Sequence, residues 1–212
     1  MMRSRGRALV LVASLIASGL VFSAGLAAAE DQPSEEQPSA AQMMDDLMYG
    51  RGPIGGPFTL TDPTGKRRSD SEFRGRLMIV YFGYTFCPDV CPADLMAITQ
   101  ALDALGPEAA GVQPIFISID PERDAKAMRE YISVFHKSFI GLTGAPDDVR
   151  RVANAYKAFY AKVEDGKTGD YAIDHAGAIY LMGRDGRYLG FMPPQTAPDR
   201  LIEILRKYLA RG

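Results

Sequence analysis

Both cysteines of the chain lie after a short apolar segment and before a helical one, and this arrangement restricts the fold more than any other feature. Residues 77–82 form a continuous apolar run, which predicts a strand buried on both faces of a sheet. Residues 83–91 read as a loop, and 92–105 repeat apolar side chains at helical spacing until Gly106 and Pro107. Since open α/β sheets bind ligands beyond the carboxyl ends of their strands, we expect a site at this loop.

The rest of the chain continues the alternation of strands and helices. A second buried strand is predicted at 112–119, and a right-handed crossover would make it a parallel neighbour of the first. The turn signal at 184–186 predicts a closing hairpin. The other predicted elements are a strand and turn at 58–65, helices at 124–136, 146–159 and 198–209, an extended piece at 139–142, and strands at 160–163, 176–182 and 187–191. We therefore predict an α/β, thioredoxin-like fold: a central mixed sheet flanked by helices, with an N-terminal hairpin extension.

Residues 1–29 read as an export segment rather than as part of the fold. Three arginines precede an uncharged apolar run over 8–29, and its Ala-Ala-Ala ending fits signal cleavage. About 22 residues at 1.5 Å each could equally remain as a membrane anchor. Under either alternative the folded part, predicted at 55–212, is translocated, so we expect a periplasmic domain, free or tethered to the outer face of the inner membrane.

Residues 30–54 are predicted to be a flexible linker, because Glu, Gln, Ser and Pro leave little to bury. Within this segment, 41–49 suggests a short helix that carries Met43, Met44 and Met48. Three thioethers could bind a soft metal, but we expect them to pack on an apolar side or to belong to a tether.

The charge balance argues against nucleic acid or an anionic membrane surface as a partner. The chain has 24 basic and 26 acidic residues, and removal of the three arginines in 1–29 leaves 21 basic and 26 acidic, a net charge of −5. Nucleic-acid binders are typically basic along one face. No feature of the sequence demands more than a monomer.

The two cysteines, Cys87 and Cys91, are separated by three residues at the predicted start of a helix. A structural disulfide is the default expectation in an exported protein, but so short a loop would stabilise the fold little in the entropic model. The N-terminus of a helix favours a thiolate, and we expect it to lower the pKa of Cys91. The Cys-x3-Cys spacing fits convergence on one metal ion and also fits a redox pair, and spacing alone does not separate these uses.

A third metal ligand is available in His175, which precedes a predicted strand. In a thioredoxin-like topology this segment lies across from the cysteine loop, where thiol oxidoreductases place a cis-proline; here the stretch has a histidine and no proline. Two thiolates and one imidazole suit copper in both oxidation states. Zinc also accepts this set, although no clear general base for hydrolysis is present.

Other polar residues near these positions are weaker candidates. Asp120 follows the second buried strand and could orient a ligand or act within its loop. Asp124 is predicted to be the N-cap of the next helix. Asp174 is a candidate only because it adjoins His175, and His136 reads as a helix C-terminal histidine rather than as a ligand.

Five motifs occur in order over about residues 55–210: Gly55-Gly56-Pro57-Phe58; Phe82-Gly83-Tyr84-Thr85 leading to Cys87-Pro88-Asp89-Val90-Cys91-Pro92; Ser118-Ile119-Asp120-Pro121-Glu122-Arg123-Asp124; Phe139-Ile140-Gly141-Leu142-Thr143-Gly144; and Asp174-His175 before a hairpin strand. Together they resemble the Sco/SenC family of copper-binding cytochrome c oxidase assembly proteins. Residue 86 is Phe where many members carry His. Because that position is not a ligand in the family, we expect metal binding to survive.

The resemblance implies a thioredoxin fold and one copper ion bound by Cys87, Cys91 and His175. It implies copper delivery to the copper-bearing subunit of cytochrome c oxidase, after loading by an upstream copper carrier. The alternative within the family is a thiol-disulfide oxidoreductase, in which Cys87 and Cys91 are a redox pair that reduces the cysteines of the oxidase copper site. A thiol peroxidase is a weaker third alternative, because peroxidatic cysteines also occupy helix starts.

Overall fold

The computed structural model describes residues 39–164 and 171–211. In chain order the helices are α1 (Ala40–Met48), α2 (Val90–Leu105), α3 (Pro121–Ser133), α4 (Pro146–Ala155) and α5 (Pro198–Leu209). The strands are β1 (Thr59–Thr61), β2 (Arg67–Ser69), β3 (Leu77–Gly83), β4 (Val112–Ser118), β5 (Ile140–Leu142), β6 (Tyr160–Glu164), β7 (Tyr171–His175), β8 (Ile179–Met182) and β9 (Tyr188–Met192).

Five strands form the central sheet in the order β5-β4-β3-β8-β9. Strand β4 pairs in parallel with β3 and β5, whereas β8 pairs antiparallel with β3 and β9. Every residue of β3 and β4 is buried, as their largely apolar sequences predict, and the polar residues Gln113 and Ser118 of β4 are buried with the rest. Gly83 lies opposite Ser118 at the carboxyl ends of these strands. The loops that lead into α2 and α3 therefore leave the sheet side by side.

Helix α2 covers the sheet with a fully buried apolar stripe that includes Leu95, Ile98 and Leu102. Burial of each such side chain is worth about 1.5–3 kcal/mol relative to exposure. Helix α5 packs beside α2 and buries Leu201 and Leu205. This packing holds the first turn of α2, and the cysteine within it, in a defined place at the sheet edge.

The predicted α/β, thioredoxin-like architecture is confirmed, including the N-terminal hairpin of β1 and β2. One predicted strand is divided differently: β7 ends at His175, and β8 begins only at Ile179. Strand β7 pairs with β6 as a separate two-stranded hairpin outside the main sheet. His175 is thus the last residue of β7, paired with Tyr160 of β6, and does not belong to β8.

The predicted role of Asp124 as an N-cap is wrong, because α3 begins three residues earlier. Pro121 occupies the first helical position, which suits proline since that position needs no N–H partner. Asp120 is the residue at the N-cap position, although its side chain makes no capping hydrogen bond. The carboxylate of Asp124 is buried and accepts hydrogen bonds from Ser118 and Thr85 instead.

The short helix expected at 41–49 is present as α1. Ser39 caps it by accepting a hydrogen bond from the N–H of Gln42. The Tyr188 hydroxyl donates to the carbonyl of Leu47 at 2.5 Å, and Ile54 is buried in the core. The division into a linker at 30–54 and a domain from 55 stays a prediction, and residues 1–29 lie outside the described part. Within residues 39–164 and 171–211, no helix combines the length and apolarity that crossing a bilayer requires.

Candidate metal centre

The cysteine loop leaves the carboxyl end of β3 and folds back onto the first turn of α2. Cys91 is the second residue of that helix and is fully buried, while Cys87 is 9% exposed. The N–H of Cys91 points at the Sγ of Cys87 at 3.5 Å, and no disulfide joins the two cysteines. The two sulfurs therefore share one site, with Cys87 nearer to solvent.

Gly83 provides the space that the Cys91 sulfur occupies. A Cβ at this position would lie 2.8 Å from Cys91 Sγ and 2.9 Å from Phe116 Cε2, closer than packed atoms approach. The absence of a side chain at the end of β3 is thus a condition for the site.

We expect Gly83→Ala to destabilise the reduced protein by about 1–3 kcal/mol, as overpacking of a filled core does. Urea unfolding at neutral pH measures the change. Adding Cys91→Ala should recover part of the loss, because it removes one of the two clashing groups. If the double variant recovers no stability, the sulfur is not what fills this space.

His175 brings its ring to the same place from the end of β7. Its Nε2 lies 3.3 Å from Cys91 Sγ, and one ligand atom from each of Cys87, Cys91 and His175 lies within 4.8 Å of the others. The imidazole meets the rings of Tyr84 and Tyr81 edge to face, with centroids 6.0 and 6.4 Å away. The structure thus brings together all three residues that the sequence analysis singled out as ligands.

The two thiols differ in their acidity, and the difference is opposite to the one predicted from helix position. A hydrogen bond from the Cys91 thiol, with smaller contributions from His175 and the backbone N–H groups of Asp89 and Cys91, lowers the pKa of Cys87 to about 3 against the effect of burial. The same hydrogen bond and burial raise the pKa of Cys91. The expectation for Cys91 is wrong because the helix N–H groups point at Cys87, while the Cys91 sulfur turns into the core.

The sequence profile of the SCO1/SenC family matches residues 48–210. The chain belongs to the SCO1/SenC family. The mitochondrial SCO2 homolog of Mus musculus is 33% identical over 207 residues, which cover 96% of this chain and 79% of that protein. A SCO2-like protein of Rickettsia conorii is 36% identical over 173 residues, which cover 81% of this chain and 83% of that one.

Solved structures of SCO1/SenC relatives share the fold. ScoI of Bradyrhizobium japonicum, solved with copper bound, is 43% identical with a TM-score of 0.65, covering 73% of this chain and 99% of that one. ScoI of Arabidopsis thaliana, also with copper bound, is 37% identical with a TM-score of 0.68, covering 75% and 99%. The likeness extends over nearly the whole of each solved chain.

In this SCO1/SenC chain the donor set is two sulfurs and one imidazole nitrogen. Soft thiolates and imidazole together suit copper, and they also accept zinc. A metal ion must displace the thiol protons, and Cys91 holds its proton more firmly than Cys87. Three protein ligands leave a coordination position for an incoming group.

A buried carboxylate that the sequence analysis did not single out lies next to the site and accepts hydrogen bonds from two segments around it. Asp94 on α2 accepts a hydrogen bond from the Tyr81 hydroxyl at 3.0 Å and from the N–H of Gln195 at 2.6 Å. Burial raises the pKa of Asp94. The Tyr81 ring also meets the His175 imidazole edge to face, with centroids 6.4 Å apart, so this chain of contacts ties the loop after β9 to the metal centre. The one sequence signal for the role of Asp94 is that it is a charged residue among the buried, mostly apolar positions of α2.

The remaining sequence candidates lie around the site rather than in it. Asp120 accepts hydrogen bonds from Arg123 and from the Tyr171 hydroxyl. Asp174 is exposed, since side-chain alternation along β7 turns it away from the face of His175. The Nδ1 of His136 lies 2.7 Å from Ser138 Oγ, in a cluster distinct from the metal centre.

Proposed function

We propose that this chain is a copper metallochaperone, which binds one copper ion through Cys87, Cys91 and His175 and delivers it to the copper centre of cytochrome c oxidase. The observation that carries the proposal is the convergence of two sulfurs and one imidazole within 4.8 Å. This set favours Cu(I) through its thiolates and tolerates Cu(II) through its imidazole.

Relatives support both halves of the proposal. Two SCO1/SenC proteins that are 43% and 37% identical to this chain hold copper in their solved structures. A structural neighbour, BsSco, is described as a member of the Sco family of cytochrome c oxidase assembly proteins. Because BsSco is 24% identical, it shows the fold here and its role guides only the proposal.

The geometry suits transfer by ligand exchange. Three protein donors leave room for a thiolate of the acceptor, which can bind the ion before this chain lets go. Cys87 is the less buried of the two cysteines and Phe86 beside it is 56% exposed, so an acceptor can approach from that side. Cu(I) keeps its oxidation state in such an exchange. The released Cys91 thiolate takes up a proton that an acceptor thiol has lost, Cys87 stays a thiolate, and any further proton of the acceptor goes to solvent.

The proposed setting follows from the leader and the charge. The domain acts outside the inner membrane, free or tethered, as a monomer with an acidic surface. Its acceptor is the copper-bearing oxidase subunit, and its donor is an upstream copper carrier on the same side of the membrane.

A second function, thiol-disulfide exchange, is favoured by one observation. The pKa of Cys87, lowered to about 3, makes it a thiolate at neutral pH. Its sulfur would attack a disulfide of the oxidase copper site and form a mixed disulfide, which Cys91 would resolve. The two cysteines would be oxidised to a disulfide, while the target would gain two electrons from this chain, one proton from the Cys91 thiol and one from solvent, and become two thiols.

Titration of the reduced protein with Cu(I) against a chromophoric competitor tests the chaperone proposal. We expect a 1:1 complex, and at free copper of 100 times Kd a gain of about 2.7 kcal/mol in unfolding free energy. That gain corresponds to about 5–10 °C in Tm for a domain of this size.

The double variant Cys87→Ser and Cys91→Ser should show neither the complex nor the gain in Tm. Mixing the copper-loaded protein with the copper-free oxidase subunit should then move copper to the subunit. If the subunit stays copper-free while its disulfide becomes reduced, the chain is an oxidoreductase and the chaperone proposal is wrong.

A further inference from the structure

The imidazole ligand sits on a hairpin that the central sheet does not hold. Strands β6 and β7 pair only with each other among the described strands. Most of their side chains are exposed or half-buried, and Ile173 is the buried exception within β7. Apolar burial therefore does little to fix the orientation of this hairpin relative to the central sheet. His175 at the end of β7 must nevertheless reach the two sulfurs.

The first turn of α3 holds the start of β7 through Arg123. The Nη1 of Arg123 donates to the carbonyl oxygen of Tyr171 at 3.0 Å, and its guanidinium carbon lies 3.6 Å from the centre of the Tyr171 ring. Asp120 is 1% exposed, accepts from the Arg123 Nε, and accepts from the Tyr171 hydroxyl at 2.8 Å. Arginine suits this place because its flat group can stack and donate at once.

The same turn also holds the cysteine loop. Asp124 accepts from the N–H of Thr85 at 3.0 Å and from its hydroxyl at 2.6 Å. The guanidinium of Arg123 also lies over the ring of Phe86, 5.2 Å from its centre. Residues 120–124 therefore join the segment that carries the cysteines to the hairpin that carries the histidine.

We propose that Arg123, held by Asp120, is a positioning residue that sets the His175 imidazole against the two sulfurs. This inference rests on the proposed copper function for its effect on affinity, but not for its effect on the position of the ring. Arg123 touches no metal ligand atom; it acts through Tyr171 and the strand that runs from Tyr171 to His175.

A copper-free NMR measurement tests the position of the ring. The Tyr84 and Tyr81 rings should shift the carbon-bound proton resonances of His175 away from their random-coil values. We expect Arg123→Ala to return these resonances most of the way to random coil. Arg129→Ala is the matched control: it removes another arginine of α3, one that donates to the Pro63 carbonyl away from the site, and should leave them unchanged.

Two milder variants keep the test decisive if Arg123→Ala folds poorly. Arg123→Lys keeps the charge but loses the flat stacking group, and Tyr171→Phe loses only the hydroxyl that reaches Asp120. Both should move the His175 resonances part of the way. Unchanged resonances in Arg123→Lys and Tyr171→Phe, with circular dichroism spectra like wild type, would overturn the proposal.

A double-mutant cycle tests the consequence for copper. Arg123→Ala should weaken copper binding about 10–100-fold, as loss of a group that orients a ligand typically does. In a His175→Ala background most of this loss should disappear, because the route through Tyr171 and β7 is gone and only the contact of Arg123 with Phe86, beside Cys87, remains. An equal loss in both backgrounds would overturn the proposal. A wild-type protein that binds no copper would refute the chaperone function and leave the NMR result standing.

Discussion

We expect His175→Ala to weaken copper binding by more than about 100-fold while the protein stays folded. Loss of a group that merely orients a ligand costs about 10–100-fold, and His175 is itself one of three donors. The half-buried ring makes two polar contacts, one between Nε2 and the Cys91 sulfur and one between Nδ1 and the N–H of Gly177, both at 3.3 Å, so its removal should disturb the copper-free fold little. Competition with a Cu(I) chelator measures the affinity, and Cu(II) electron paramagnetic resonance shows the loss of nitrogen coordination.

The other histidine provides the control. His136 bonds to Ser138 outside the metal centre, so His136→Ala should leave both the affinity and the spectrum as in wild type. Should His175→Ala bind copper as tightly as wild type, the imidazole is not a ligand, and the site reduces to a pair of cysteines.

The second large effect is expected in the pH dependence of thiol alkylation. The hydrogen bond from Cys91 lowers the pKa of Cys87 to about 3, so Cys87 is a thiolate throughout the range from pH 5 to pH 8. An ordinary thiol with a pKa of about 8.5 gains thiolate by a factor on the order of 10³ over that range. Alkylation of copper-free Cys87 by iodoacetamide should change less than about twofold, whereas Cys91, buried and with a raised pKa, should react far more slowly.

Mass spectrometry of the alkylated peptides resolves the two sites, and Cys91→Ala supplies the control. That variant removes the hydrogen bond that contributes most to the lowered pKa of Cys87, so its alkylation rate should rise with pH in the ordinary way. A steep pH profile for wild-type Cys87 would show that its thiol keeps its proton at neutral pH.

The same pKa has a consequence for stability. The folded pKa of Cys87 lies below its unfolded value, so the unfolded chain binds the proton more readily. The contribution of Cys87 to the unfolding free energy is therefore complete above about pH 8.5 and declines as the pH falls toward 3. Comparison of wild type with Cys87→Ser should show a stability difference that shrinks on acidification.

Most of the fold could be predicted because its strands and helices have strong local patterns. The apolar runs of β3 and β4 have no alternation, which places them in the middle of a covered sheet. The closing helix spans Pro198–Leu209, as its apolar spacing and N-terminal proline indicate. The short strand β7, in which only Ile173 is buried, is absent from the prediction, since its alternation covers too few residues to stand out.

The amino-acid sequence alone determined which side chains could form the site. Only two cysteines and two histidines occur in the chain, and the motifs around Cys87, Cys91 and His175 selected the three donors. Tertiary structure alone decided which sulfur is the thiolate, because that depends on the direction of the Cys91 N–H and thiol toward Cys87. It also decided the roles of Asp94, Asp124 and Arg123. Their partners lie 13 to 101 residues away along the chain in Tyr81, Gln195, Thr85 and Tyr171, and no local pattern records contacts that folding alone creates.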